Sequence, residues 1–203
     1  MKYYNTKTKE TIWENYIITD DGTFFIDNLT EKKRKEFNLI PIQEIKVSEQ
    51  PKDKYQYIKT TTEETEEAYI INEEIADVDI EMAKSIKLEE LKEWAKEQTN
   101  RCKINLKGFG VIDGGYNYIA NAEALINTYE INPQKVFRMF DDSFKEVTIE
   151  QLHSIKKAIE YAGVLIHGIK WNIENTISQA TSITTLKAIQ FPDTIDVDLT
   201  KVE

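Results

Sequence analysis

Between Leu152 and Ile173, apolar residues recur in alternating steps of three and four: Leu152, Ile155, Ile159, Ala162, Ile166, Ile169 and Ile173. Helical geometry is what places such a series on one face. Just ahead stands Thr148-Ile149-Glu150-Gln151, in which the threonine can cap forward while Gln151 reaches back. The spacing predicts one helix from Ile149 to about Ala180. Its seam needs a helical or sheet partner along about 30 Å, at about 1.5 Å per residue. Another copy of the chain could complete that seam through the 149–180 helix.

The rest of the second half is built of short elements. A helix fits Asp79 to Cys102, with Leu91, Trp94, Ala95, Gln98 and Cys102 as its apolar stripe. Lys103 to Leu106 and Phe109 to Ile112 read as a hairpin turning at Lys107-Gly108, closed by Asp113-Gly114-Gly115. A helix over Asn117 to Tyr129, a hairpin around Asp141-Asp142 and a last helix over Thr184 to Ile189 follow. Residues 193–203 read as a polar tail.

Residues 1–72 read as strands and turns. Thr11 to Ile18 is one β-branched and aromatic run, and Asp20-Asp21-Gly22 turns it into Thr23 to Ile26. Thr30 can cap a short helix over Glu31 to Phe37, and Pro41 forces Ile40 to be extended. Tyr55 to Thr60 and Glu67 to Ile71 suggest two more strands, with 60–66 as their turn. The fold class is therefore α+β: a small β-rich N-terminal part with one short helix, then short hairpins packed on a long helix and a second helix. The domains read as 1–78, including an acidic linker, and 79–192, with the boundary near 74–84.

The net charge of −10 is concentrated. No basic residue stands between Lys59 and Lys84, an interval holding Glu63, Glu64, Glu66, Glu67, Glu73, Glu74, Asp77, Asp79 and Glu81. A chain so charged repels nucleic acid and attracts basic protein surfaces. Its plainest reading is a solvated linker. The nine acids together, with Tyr116 and Tyr118 beside Gly114-Gly115, are the candidate partner-binding residues. No apolar run approaches the roughly 18 residues that would suggest a membrane span. The polar start and the single Cys102 point to the bacterial cytoplasm. Basic residues are almost all lysine, and the abundance of Lys, Ile and Asn fits AT-rich coding in a bacterium or its phage.

Catalytic patterns are incomplete. His153 and His167 stand 14 residues apart on one helix, about 21 Å, too far to share a metal. Cys102 has no base in its neighbourhood of sequence, and its place on the helix stripe favours burial. The run Lys107 to Gly115 lacks the Gly-Lys-Ser/Thr of a P-loop and the third glycine of a dinucleotide fingerprint. No glycine lies between 23 and 107 to shape a calcium loop in the acidic interval. These observations predict a non-enzyme without cofactor or metal. Trp13, Trp94 and Trp171 read as core or edge residues.

The order of features over about 85–190 resembles a C-terminal domain family of uncharacterised function in phage and prophage tail-fibre and tail-assembly proteins. The resemblance rests on Ile104 to Phe109, Phe140 to Thr148, His153 to His167 and Ser182 to Ile189, with Asn28-Leu29-Thr30 and Ile40-Pro41 resembling the leader of such proteins. The chain departs from the family at Cys102-Lys103, where Gly-Gly is usual. The resemblance implies a phage origin, a structural or assembly role near tail genes, association with the virion, and no catalytic residues to carry over. An alternative from another class is a phage-encoded anti-CRISPR protein whose acidic surface occupies the basic nucleic-acid channel of a host RNA-guided nuclease.

Overall fold

A computed structural model describes residues 2–201; Met1, Val202 and Glu203, the last two from the expected tail, lie outside the described residues. The chain is mixed α+β and divides into two compact units, 1–78 and 79–203.

In the first unit, β1 (Tyr3–Asn5) and β2 (Glu10–Ile12) form a hairpin, and β3 (Tyr16–Thr19) and β4 (Gly22–Phe25) form a second, separate one. The run Thr11 to Ile18 is therefore two strands, and Trp13 lies between them, 72% exposed. Helix α1 (Glu31–Glu36) begins where Thr30 accepts a hydrogen bond from the Lys33 amide. It leads into β5 (Leu39–Ile45), then β6 (Gln56–Glu64) and β7 (Tyr69–Asp77). The main sheet runs β2-β1-β5-β7-β6, antiparallel except for the β5–β7 pair. Pro41 pairs with Tyr3 of β1, and the β7 ladder starts one residue later at Ile42, so no donor is missed there. Tyr3, Ile26 and Leu39 form the core, with Ile12, Ile17 and Phe37 against them.

The 60–66 turn and the acidic linker are both corrected. β6 continues to Glu64, and the turn is Thr65 to Ala68, where the Thr65 hydroxyl accepts from the Ala68 amide at 2.9 Å and donates to its carbonyl at 2.8 Å. Glu73, Glu74 and Asp77 are ladder residues of β7. The charges are tolerated because the β6 side chains are nearly all exposed, so water solvates them while the backbones pair.

In the second unit, α2 (Ile80–Asn100) is capped by Asp79. β8 (Cys102–Leu106) and β9 (Gly110–Gly114) make the expected hairpin, followed by α3 (Tyr116–Asn127) and the hairpin of β10 (Val136–Arg138) and β11 (Phe144–Glu146). α4 (Ile149–Gln179) carries the full capping box, with Thr148 accepting from the Gln151 amide and Gln151 accepting from the Thr148 amide. α5 (Ile183–Ala188) is capped by Ser182. β12 (Ile195–Val197) lies parallel to β8, giving a sheet in the order β12-β8-β9.

The seam of α4 is covered within the chain over most of its length: α2, α3, β8, β9 and β12 pack on the helix, burying Leu152, Ile155, Ile159, Ala162 and Ile166, while Ile169 and Ile173 are half-buried. Two expectations fail here. Cys102 belongs to β8, because Arg101 turns extended (φ −152°, ψ 119°) and ends α2 at Asn100. The polar tail is not a tail over its described part, since Ile195 and Val197 are each 1% exposed and fill the sheet beside Ile104 and Leu106. Trp94 is buried and donates through Nε1 to the Pro192 carbonyl at 3.1 Å, whereas Trp171 is 65% exposed.

Candidate binding surface

The acidic residues of the first unit are arranged by strand pairing. On a strand pair, directly opposed residues share a face and neighbours alternate. The register Glu64↔Tyr69, Thr60↔Glu73 and Gln56↔Asp77 puts Glu64, Glu73 and Asp77 on one face of the β6–β7 hairpin. Glu63↔Ile70 and Lys59↔Glu74 put Glu63 and Glu74 on the other. Several of these charges have partners. Lys9 meets Glu64 at 2.8 Å and Lys59 meets Glu74 at 3.0 Å. The Gln56 amide donates to Asp77 at 3.0 Å. Glu66 and Glu67, in the turn, help hold the Lys35 ammonium in its charged form, a smaller effect than that of its ion pair with Glu31. Asp79 accepts from the Met82 amide at 2.8 Å, and Glu81 pairs with Lys84. Among the described residues, Glu63, Glu66, Glu67 and Glu73 form no ion pair. The acids thus form a two-faced hairpin, with the last two in the second unit.

In the second unit, α2, α3 and α4 converge on a cavity of about 130 Å³. Gln98 comes from α2, Tyr116 and Ile119 from α3, and Ile159, Gly163 and His167 from α4. Gly115 makes the approach of α3 to α2 possible. It sits at φ +110°, and a Cβ there would fall 2.3 Å from the Asn100 carbonyl oxygen. The Gln98 Oε1 is buried without a hydrogen-bond partner among the described residues. Such an oxygen forgoes water and gains nothing in return, so an incoming N–H or O–H would satisfy it.

Exposed apolar side chains stand at and near the mouth of this cavity. Tyr116 is 77% exposed, and Val164 and Trp171 are also exposed. Along α4, Glu160, Val164, His167 and Trp171 follow at helical spacing on one outward stripe, and the His167 and Trp171 rings lie 6.3 Å apart. Gly163 and Gly168 flank the stripe, and a Cβ at either would meet nothing within 4 Å. Each mid-helix glycine costs about 1 kcal/mol relative to alanine, and packing inside the chain gives no reason for it. Of the two tyrosines singled out from sequence, Tyr116 lines this cavity, and Tyr118 is half-buried. Sequence reasoning places Trp171 as core or edge from its aromatic identity, although the polar residues around it on the helix, His167, Lys170, Asn172, Glu174 and Asn175, are the signal that marks an outward face.

Burial pushes the Cys102 thiol up to about 11, which keeps it protonated at neutral pH. His153 and His167 both face solvent on α4. Asp113 is buried and accepts from Arg101 Nε at 2.8 Å, and this bond holds the guanidinium in its charged form. Among the described residues, no group of three or more His, Cys, Asp or Glu side chains could hold a metal ion, and no helix is long and apolar enough to cross a membrane. Comparison with protein-family models, with curated proteins and with solved structures gives no match.

Proposed function

We propose that this chain is a non-catalytic phage or prophage protein that docks on a protein partner, a tail component, through the α3–α4 face of its second unit. The observation that carries the reading is the buried Gln98 oxygen, unpartnered among the described residues, together with the small cavity that Gln98, exposed Tyr116 and His167 line, next to the exposed Val164 and Trp171 of the same α4 stripe as His167. Interfaces concentrate binding energy in a few anchor side chains that fill such cavities, with aromatic residues around them. About 130 Å³ suits one partner side chain with an apolar body and a donor at its tip, such as tyrosine. The tail assignment rests on the family resemblance alone.

The test is affinity capture from the natural host with the intact chain as bait. Tail-fibre or tail-assembly components should be retained, and the double variant Tyr116→Ala/Trp171→Ala should hold them at least about tenfold more weakly, since anchor truncations commonly cost about 2 kcal/mol or more. Retention that is unchanged by the double variant would sink the surface assignment. A chain that ignores tail proteins altogether would sink the function.

A second reading is favoured by one observation, the exposed strand β6 and the turn after it, where Glu63, Glu66 and Glu67 form no ion pair among the described residues. It makes the chain an inhibitor seated in the basic channel of an RNA-guided nuclease. Changing Glu63, Glu64, Glu66 and Glu67 together to Gln should then weaken nuclease binding, and the wild-type affinity should fall as salt rises. Salt-insensitive binding would exclude this reading.

A further inference from the structure

β6 is the outer strand of the five-stranded sheet. It is nine residues long, pairs only with β7 among the described residues, and is exposed from Tyr57 to Glu64. The opposite edge, β2, has only three residues. A long exposed edge offers a row of unpaired N–H and C=O groups to any strand that can match it. We infer that β6 pairs antiparallel with β6 of a second copy of this chain, centred on Thr61, so that the chain forms a two-fold dimer with a continuous sheet.

The register follows from symmetry and charge. A two-fold axis normal to the sheet keeps each side chain on its own face, so residue i can oppose only residues of the same parity. Centred on Thr61, Lys59 opposes Glu63 of the second copy, and Glu63 opposes its Lys59. Thr60 and Thr62 face each other in the same way. Opposite-charge and Thr–Thr pairs are among the favourable cross-strand pairs. Shifting the axis to Thr60 sets Lys59 against Thr61, and shifting it to Thr62 sets Lys59 against Thr65, so neither register pairs the charges. Glu63 has no ion-pair partner among the described residues, and Ile70 opposes it on β7. Lys59 already meets Glu74 on its own face and would bridge two carboxylates in the dimer. On the other face, Glu64 stays with Lys9 and opposes Ile58 of the second copy. The same charges that discourage an arbitrary strand from adding to this edge favour a second β6.

Sedimentation velocity on the full chain, over a range of concentrations, tests the dimer. The wild-type mass should rise toward twice 23.7 kDa. Lys59→Glu and Glu63→Lys each place like charges opposite each other twice per dimer, and each should weaken association at least about tenfold. When the two variants are mixed in equal amounts, both crossings of the mixed dimer again set a carboxylate against an ammonium, and the mixture should dimerise as the wild type does. Circular dichroism of each variant checks that it is folded before mixing. A wild type that stays monomeric throughout overturns the inference. So does a mixture that associates no better than its components, which would place any dimer interface elsewhere.

Discussion

A chain shortened to end at Pro192 should lose most of the stability of its second unit. Residues 193–203 carry the two side chains that close the β12-β8-β9 sheet, Ile195 and Val197, each 1% exposed. Fully burying an aliphatic side chain is worth about 1.5–3 kcal/mol, so the pair amounts to roughly 3–6 kcal/mol. That is comparable to the whole net stability of a marginal domain, about 5 kcal/mol. The loss also strips the outer edge of β8 and exposes Ile104 and Leu106. Two polar ties go with it, Asn105 to Asp196 and Lys107 to Asp198, both at 2.8 Å. Hydrogen bonds from Lys107 and then Thr200 hold the Asp198 carboxyl down at about 2, so it is charged near neutral pH. Thermal unfolding followed by circular dichroism should show the transition of the second unit lowered by tens of degrees or absent. A shortened chain that melts with the wild type would mean that β12 contributes nothing.

Gly115→Ala should be nearly as damaging, at about 3 kcal/mol or more. Two costs combine: a positive φ of +110° is strained for any residue with a Cβ, and the new methyl would lie 2.3 Å from the Asn100 carbonyl. Backbone oxygen cannot step aside as a flexible side chain can. Relief requires α3 to move off the end of α2, which opens the cavity at Gln98. A useful comparison is Gly163→Ala, where a Cβ meets nothing and alanine favours the helix. Denaturant unfolding should show the first variant destabilised and the second equal to or more stable than wild type. Equal stability of Gly115→Ala and wild type would refute the close approach.

What can be read from sequence is what is local. The α4 helix, its capping box and the hairpins turning at Asp20 to Gly22, Lys107-Gly108 and Asp141-Asp142 depend on residues a few positions apart, so period and turn chemistry identify them. β12 is invisible because Ile195 and Val197 are two apolar residues in a polar run, and what makes them a strand is β8. The far end of β6 reads as a turn because Thr60 to Glu64 has no apolar alternation. Its strand character comes from cross-strand partners such as Ile71 and Ile70. The candidate site is half legible. Tyr116 stands out beside its glycines, but the Gln98 oxygen becomes conspicuous only when three helices close around it. Trp13 and Trp171 defeat the expectation of core or edge placement because aromatic identity predicts burial on average and says nothing of which side of an element faces out.

The parallel β8–β12 pair carries one more consequence, which concerns the order of events during synthesis. Asn105 and Asp196 are neighbours in the sheet but stand 91 residues apart in the chain. Every contact of the first unit can form while the second is still being made, because that unit ends at Val78. The second cannot close its sheet until residue 197 has been added. For all of the intervening elongation, Ile104, Leu106 and the buried stripe of α4 lack their final cover. The ribosome-bound chain should therefore carry a finished N-terminal unit joined to an unfinished one, and the nascent second unit is where a chaperone would bind.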